Sequence, residues 1–359
     1  MTYDYSAGEL SQILAENIEM VCDGLGVTGA RQGNDLVGLN PTRADKKRGS
    51  FRVCIRGAKR GLWSEFSDGS KGDALALVNY IISGGTQSND WKPSIEWALD
   101  FLNIRESQTP EQKYQLKQRA KENRIKADSQ AQHEQAEKAR MASAIWLKAK
   151  PLQDGDIVTQ YLEERGIRLP IAGFMPGVLR CDNIYLLDTE GYCDAMIAGI
   201  YNYDGKIIAC HRTYIENTGY GVKKISSEIG EAKKVLGSPN GGFIPIWKGV
   251  QNGRQGSPLS KIKKAELFLC EGIEDALTIA TIIPSARIWA VISLGNFARI
   301  RIPPNVTTVT ICGDNDESEQ AQRAFKTGVE NIAGQVEIVK IARSQKGKDF
   351  NDWLISNDK

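Results

Sequence analysis

The sequence predicts a multi-domain α+β protein that ends in a small α/β unit with a parallel sheet flanked by helices. Three observations predict it. After Lys261, continuous apolar runs at 266–270, 287–292, 306–312 and 336–341 alternate with helical spacing at 273–283 and 317–332. Between 184 and 247, strand-like runs such as "IYLLD", "DAMIAGIYN" and "KIIACHRTYI" dominate, separated by glycine-containing turns. Residues 105–140 are rich in Gln, Lys, Glu and Ala and poor in large apolar groups. They read as a solvated helix or a mobile linker and mark the clearest boundary. The division is therefore 1–104, a linker at 105–140, then 141–260 and 261–359.

Element by element, the first region opens with Leu10, Ile13, Leu14, Ile18 and Val21 at helical spacing over 9–22. From 36 to 66 the text is short strands punctuated by turn signals such as "KRG" and "SDGSKG". A helix follows, "DALALVNYII", with Asp73 as its N-cap, and another begins near Pro93. Beyond the linker, "IVTQYLEERGIRL" at 157–169 is a helix ended by Gly166.

Composition excludes several classes. The 359 residues are 41% hydrophobic and 25% charged, as in an ordinary soluble protein. Seven cysteines never occur as CxxC, and several lie inside apolar runs, which reads as reduced core thiols. With only two histidines, His133 and His211, a zinc site is not expected. The N-terminus lacks the basic and apolar regions of a signal peptide, and no apolar run reaches the roughly 20 residues needed to cross a bilayer. The expectation is a cytoplasmic protein with no membrane partner.

The chemistry concentrates in the last region. "FLCEG" ends an apolar strand on Glu271, and "TICGDNDE" ends another on Asp314 and Asp316. Ligands of an open parallel sheet bind outside the carboxyl ends of its strands. Two carboxylates about 4 Å apart repel by roughly 4 kcal/mol at an effective dielectric near 20, so such a cluster calls for a cation. Oxygen ligands suit Mg²⁺ or Mn²⁺. "KGKDFNDWL" adds Asp349 and Asp352, on one face if that segment is helical. The bland alternative makes Asp316 a helix cap and Asp275 a first-turn acid favourable to the helix dipole.

In this order and spacing, "LFLCEGIEDAL", "SLGN", "TICGDNDE" and "KGKDFNDWL" resemble the Toprim domain of topoisomerases, bacterial-type primases and related nucleases, over about 262–356. The resemblance implies acid–base or metal chemistry for Glu271, Mg²⁺ binding for Asp314 and Asp316, and a site-closing loop at Gly295. Asp349 and Asp352 are further metal candidates.

The flanks select among Toprim activities. Upstream strands would bring Arg212, Lys223, Lys224, Lys233 and Lys234 near the acids if this region packs on the sheet, supplying cations for a triphosphate or a template. The pattern resembles the substrate-binding half of bacterial and phage primases, with Arg212 and Lys234 as the best matches. The first region resembles the primase zinc ribbon without its cysteines: the second pair falls at Glu65 and Asp68, and "LVGLNPT" supplies no first pair. Arg43, Lys46, Lys47, Arg48, Arg52, Arg56, Lys59 and Arg60, with Lys71, surround Phe51, Trp63 and Phe66. Cations interleaved with aromatics suit single-stranded DNA; alternatively the rings form a miniature core.

No GxxxxGK[ST] phosphate loop occurs, which disfavours ATPase-linked Toprim nucleases. The resemblance implies a primase of phage, prophage or plasmid type, taking single-stranded DNA and nucleoside triphosphates, using Mg²⁺ or Mn²⁺ without zinc, and partnered by a separate helicase. The alternatives are a metal-dependent nuclease and an inactive single-stranded-DNA-binding accessory protein.

Overall fold

A computed structural model describes residues 5–43, 49–104 and 110–357. The chain divides into two units, Met1–Glu134 and Gln135–Lys359.

In the first unit, α1 (Ala7–Glu16) starts at a capping box: Ser6 Oγ accepts from the Glu9 amide, and the Glu9 carboxylate accepts from the Ser6 amide. The single helix expected over 9–22 is two helices. The Asn17 side-chain amide donates to the Ile13 carbonyl at 3.0 Å, and α2 (Ile18–Gly24) restarts beyond it. Strands β1 (Gly29–Gln32), β2 (Asp35–Gly38), β3 (Phe51–Cys54), β4 (Trp63–Glu65) and β5 (Lys71–Gly72) form an antiparallel sheet in chain order. Helices α3 (Ala74–Ile82) and α4 (Lys92–Phe101) follow, and Asp73 caps α3 by accepting from the Ala76 amide at 2.9 Å. Phe51, Val53, Trp63, Leu77 and Tyr80 close the core with Leu14 and Ile18. Helix α5 (Pro110–Lys148) shows that the polar stretch is helical from Pro110; residues 105–109 lie outside the described ones.

The second unit holds two large sheets. Short β6 (Lys150–Pro151) and helix α6 (Ile157–Glu164) precede β7 (Leu179–Leu186), β8 (Gly191–Tyr201), β9 (Ile207–Asn217), β10 (Val222–Lys224) and β11 (Lys233–Gly237). These strands pair antiparallel in the order β10-β9-β8-β7-β6, with β11 also on β9. One face of β9 carries Ala209 and Ile215 into the core shared with the last region; the other carries Cys210 and Tyr214 against Ala142 and Ala149 at the end of α5.

Strand β12 (Ile244–Trp247) and the hairpin β13 (Val250–Gln251) and β14 (Arg254–Gln255) lead into the last sheet. It contains β15 (Ala265–Cys270), β16 (Ile288–Ala290), β17 (Val306–Gly313) and β18 (Ile338–Arg343), with helices α7 (Ile273–Ile282), α8 (Glu319–Ala333) and α9 (Phe350–Asn357). The order is β12-β16-β15-β17-β18, with β15, β16, β17 and β18 parallel and β12 antiparallel to β16. Ala276 and Leu277 of α7 share a core with Cys270 and Cys312, whereas Ile332 of α8 packs with Leu267, Leu269 and Ile311. The two helices thus cover opposite faces, as the alternation of side chains along β15 and β17 requires. The chain leaves β15 toward β16 and leaves β17 toward β18, so the crevice between β15 and β17 is a topological switch point. Among the described residues no helix is long and apolar enough to cross a membrane.

Candidate active site

Glu271 and Asp314 leave neighbouring strands at that switch point, because Cys270 pairs with Cys312 in register. Burial raises the pKa of Glu271, and the charge of Asp314 raises it further. Asp314 is raised by burial and then by Asp349. Asp275, one turn beyond Glu271 on α7, is pushed up to about 7 by burial, Asp349 and Asp314 together. Four carboxylates therefore repel one another here, with Lys348 and Lys233 as the cations that counter Glu271 and Asp314.

Local hydrogen bonds hold this arrangement. The Asn315 side-chain amide donates to Ser344 and to the Gly347 carbonyl, and its backbone amide donates to the Lys348 carbonyl at 2.8 Å. That clamp draws the Asp349 segment against the end of β17. Asp349 accepts from the Asp352 amide at 2.7 Å, and the Asp352 carboxylate accepts from the Lys348 amide. The Asn351 amide donates to Asp275 at 3.1 Å. Around Gly295, buried Asn296 donates to the Val291 and Gly242 carbonyls and accepts from the Gly241 amide. Ile292 donates its amide to the Glu271 carbonyl with φ at 77°, a left-handed conformation that is costly for a β-branched residue.

The expected acids separate here. Glu271, Asp314 and Asp349 interact; Asp316 is fully exposed, and its pKa is lowered by the Ser318 amide that it accepts from. Asp316 shapes the entry to α8, where Ser318 is the N-cap, and exerts only a small push on Asp314. Asp352, in the first turn of α9, accepts from the Lys348 amide and is not among the groups that raise Asp275 or Asp314.

The expected cations separate too, by the period of two along a strand. Lys233 and Lys224 converge on Glu274 of α7, at 3.5 and 2.7 Å. Glu274 also accepts from the Tyr161 hydroxyl at 2.9 Å. Burial alone would raise the Glu274 pKa, but the two lysines hold it far below the carboxylate range. Beside them His211 is buried, and burial with the Lys233 charge drops its pKa to about 4, so it is neutral. Arg212 and Lys234 pair with each other across β9 and β11 on the opposite face, where Arg212 reaches the Tyr214 hydroxyl and Lys234 binds Asp188. The two best-matching cations are thus not the ones beside the acids. Lys223 sits at the sheet edge, 3.9 Å from Glu216.

In the first unit, Phe51 and Trp63 are buried in the core and cannot stack on bases, because alternation along β3 and β4 turns them inward. Phe66 is exposed beneath the Arg52 guanidinium, 5.6 Å from its ring centre. Arg56, Lys59 and Lys71 are exposed, Arg60 donates to the Glu16 carbonyl, and Lys46, Lys47 and Arg48 lie outside the described residues. Glu65 and Asp68 do not fit zinc. Glu65 accepts from Asn40 and Ser67 and pairs with Arg43 at 3.1 Å, while Asp68 accepts from the Tyr80 hydroxyl at 3.0 Å. Burial acts to raise both pKa values, but hydrogen bonds lower them: from Ser67 and Asn40 at Glu65, and from Ser70 and then Tyr80 at Asp68.

Asp275, Glu274, His211, Asn296 and Asn315 were not singled out for the site from the sequence. The spacing of four from Glu271 to Asp275 was the available signal for the first, since it places both on one side of the α7 entry.

Two family models match parts of the chain. Residues 266–359 match the Toprim domain family. The C-terminal region is a Toprim domain. Residues 136–246 match a family described as Domain of unknown function (DUF7146). Among solved structures, the primase of Aquifex aeolicus (zinc-binding and RNA polymerase domains) is similar at 12% identity and a TM-score of 0.36, over 97% of this chain and 82% of that one. A DNA primase domain from Pseudomonas aeruginosa shows 14% identity and a TM-score of 0.37, over 61% and 74%. The primase fragment of the bacteriophage T7 primase-helicase shows 12% and 0.33, over 88% and 93%. A search of curated proteins found no match.

Proposed function

We propose that the chain is a DNA primase that makes short RNA primers on single-stranded DNA by Mg²⁺-dependent nucleotidyl transfer, in a replication system of phage, prophage or plasmid type. One observation carries this reading: Glu271, Asp275, Asp314 and Asp349 repel one another at the switch point of a Toprim sheet, with Lys233 beside them. Among the described residues no three His, Cys, Asp or Glu side chains form a ready metal cage. Mg²⁺ is commonly held by one or two carboxylates together with substrate phosphates and water. Glu271 and Asp314 would hold it, with Asp349 in support, and when bound it would neutralise charge developing on the transferred phosphate.

The chain's own residues supply the rest. Where Asp314 and Asp349 hold the metal without it, Glu271, its pKa raised by burial and by Asp314, is suited to take the proton of the attacking 3′-hydroxyl. Lys233 is half-exposed and its ion pair with Glu274 is long, so it can turn to an incoming triphosphate, while Lys224 stays with Glu274. Neutral His211 adds no competing charge. In the first unit, Arg56, Lys59 and Lys71 offer exposed cations, and the half-buried Arg52 with the exposed Phe66 ring offers a further cation and a stacking surface to a single strand. A separate helicase is the further partner this reading requires.

The test is incubation with single-stranded DNA, labelled ribonucleotides and Mg²⁺. Primers made by the wild type and absent with Asp314→Ala support the proposal. Degraded template instead would assign a nuclease, and a mobility shift with neither reaction would assign a binding protein.

A further inference from the structure

The opposite end of the Toprim sheet is rich in cations. A cavity of about 1020 Å³ lies at the amino ends of β15 and β16, bordered by the β13–β14 hairpin. Lys264, which lines it just before β15, is seven residues from Glu271, about 23 Å at the usual strand rise.

Four cations line it: Lys248, Arg254, Lys264 and Arg287. None of their side chains has a hydrogen-bond or ion-pair partner among the described residues. The one carboxylate in the lining, Glu266, is already engaged by Lys340 at 3.0 Å. Arg287 is half-buried, and desolvation lowers its pKa without any neighbouring anion to offset the cost. An unpartnered guanidinium taken partly out of water is unfavourable unless an anion completes it.

The surroundings are built to hold these charges in place. Asn252 and Gly253 both have positive φ, 52° and 70°, the signature of a type I′ turn, which makes a tight two-residue hairpin and fixes Arg254 at the cavity rim. A side chain at Gly256 would come within 2.8 Å of the Arg287 guanidinium and 2.2 Å of the Lys248 carbonyl, so glycine there keeps the Arg287 slot open. Between the cations, Ile262, Phe268 and Ile283 supply an apolar strip.

We propose that this cavity binds an oligophosphate, presented most completely by a nucleoside triphosphate whose base lies on the apolar strip. Its volume is that of a small-molecule site, and its four cations exceed what one phosphate would engage. The proposal does not depend on the chemistry of the acidic end.

The test is calorimetric titration of the full chain with inorganic tripolyphosphate, and separately with ATP, in buffer containing EDTA and no divalent metal. Binding is expected in the wild type, unchanged in Asp314→Ala, and at least about tenfold weaker in Arg287→Gln. Lys264→Gln, at an exposed position that cannot disturb folding, is expected to weaken it about threefold. ATP binding more tightly than tripolyphosphate would assign a nucleotide, and equal affinity would assign the bare oligophosphate; both support the site. No binding without metal, loss of binding in Asp314→Ala, or full affinity in both Arg287→Gln and Lys264→Gln would overturn it. So would displacement of tripolyphosphate by hexaaspartate or a thymidine oligonucleotide, which would reassign the cavity to a peptide or a nucleic-acid strand.

Discussion

The two ends of the Toprim sheet carry opposite charge in opposite ways. At the carboxyl end four acids from three separate segments repel one another, and burial sharpens the repulsion. At the amino end four cations line a cavity, and the single acid among them is neutralised by Lys340. The difference teaches how an uncompensated cluster is tolerated. The acidic end is clamped by directional hydrogen bonds through Asn315 and Asn296, whereas the basic end is held apart by a stiff hairpin and a glycine. On the two proposals made above, each end would take a ligand of the opposite sign.

The largest effect should come from removing the acidic end. Asp314→Ala, or excess EDTA with the wild type, is expected to reduce primer synthesis at least about a thousandfold, the scale of losing a central electrostatic contact in catalysis. Oligophosphate binding at the other end should be untouched. Equal losses at both ends would abolish the distinction between them.

Breaking the buried support beneath the acids comes next. Glu274→Gln leaves Lys224 facing a neutral amide in a buried place and should destabilise the second unit by about 3 kcal/mol. Chemical denaturation of the full chain would read this as a lower midpoint for one transition. An unchanged midpoint would mean that the ion pair contributes nothing.

The acidic end should also give the protein a pH signature. Asp275 ionises near 7 when folded, above its usual value, so the folded state binds more protons than the unfolded one between about pH 4 and 7. Stability from this group is present at the acidic side of that window and declines as pH rises through it. Without divalent metal the melting temperature should therefore fall from pH 5 to 8. Asp275→Asn should flatten the fall, and Mg²⁺ should reverse it by favouring the ionised form. A flat profile in metal-free wild type would count against close approach of the four carboxylates. The smallest effect is at the other end: Lys340→Met frees the Glu266 carboxylate and should weaken tripolyphosphate binding by about twofold, in keeping with the small worth of an exposed ion pair.

The acidic end was largely legible from the chain because each contributing strand announces itself by an apolar run and stops on an acid. Glu271 and Asp314 follow directly from that pattern. Locally, Asp275 reads as a helix-dipole residue, since a first-turn acid has that meaning whether or not another strand delivers charge beside it. The basic end was not legible at all: Lys248, Arg254, Lys264 and Arg287 are singletons in unrelated segments, and only the folded hairpin and the parallel strands bring them round one cavity.

By itself the sequence determined the order of strands and helices in the Toprim region, because these rest on local periodicity and end signals, and it marked 105–140 as polar without deciding between helix and linker. It also determined the absence of paired cysteines where a zinc ribbon would need them. Which of two adjacent lysines faces the acids was decided only by tertiary structure. Lys233 and Lys234 differ by one position, and side chains alternate faces at every residue along a strand, so the pairing of β11 with β9 sends one toward Glu274 and the other toward Asp188. The same physics turned Phe51 and Trp63 into core and left Phe66 outside. Register is a relation between distant segments, and no single stretch of the chain contains it.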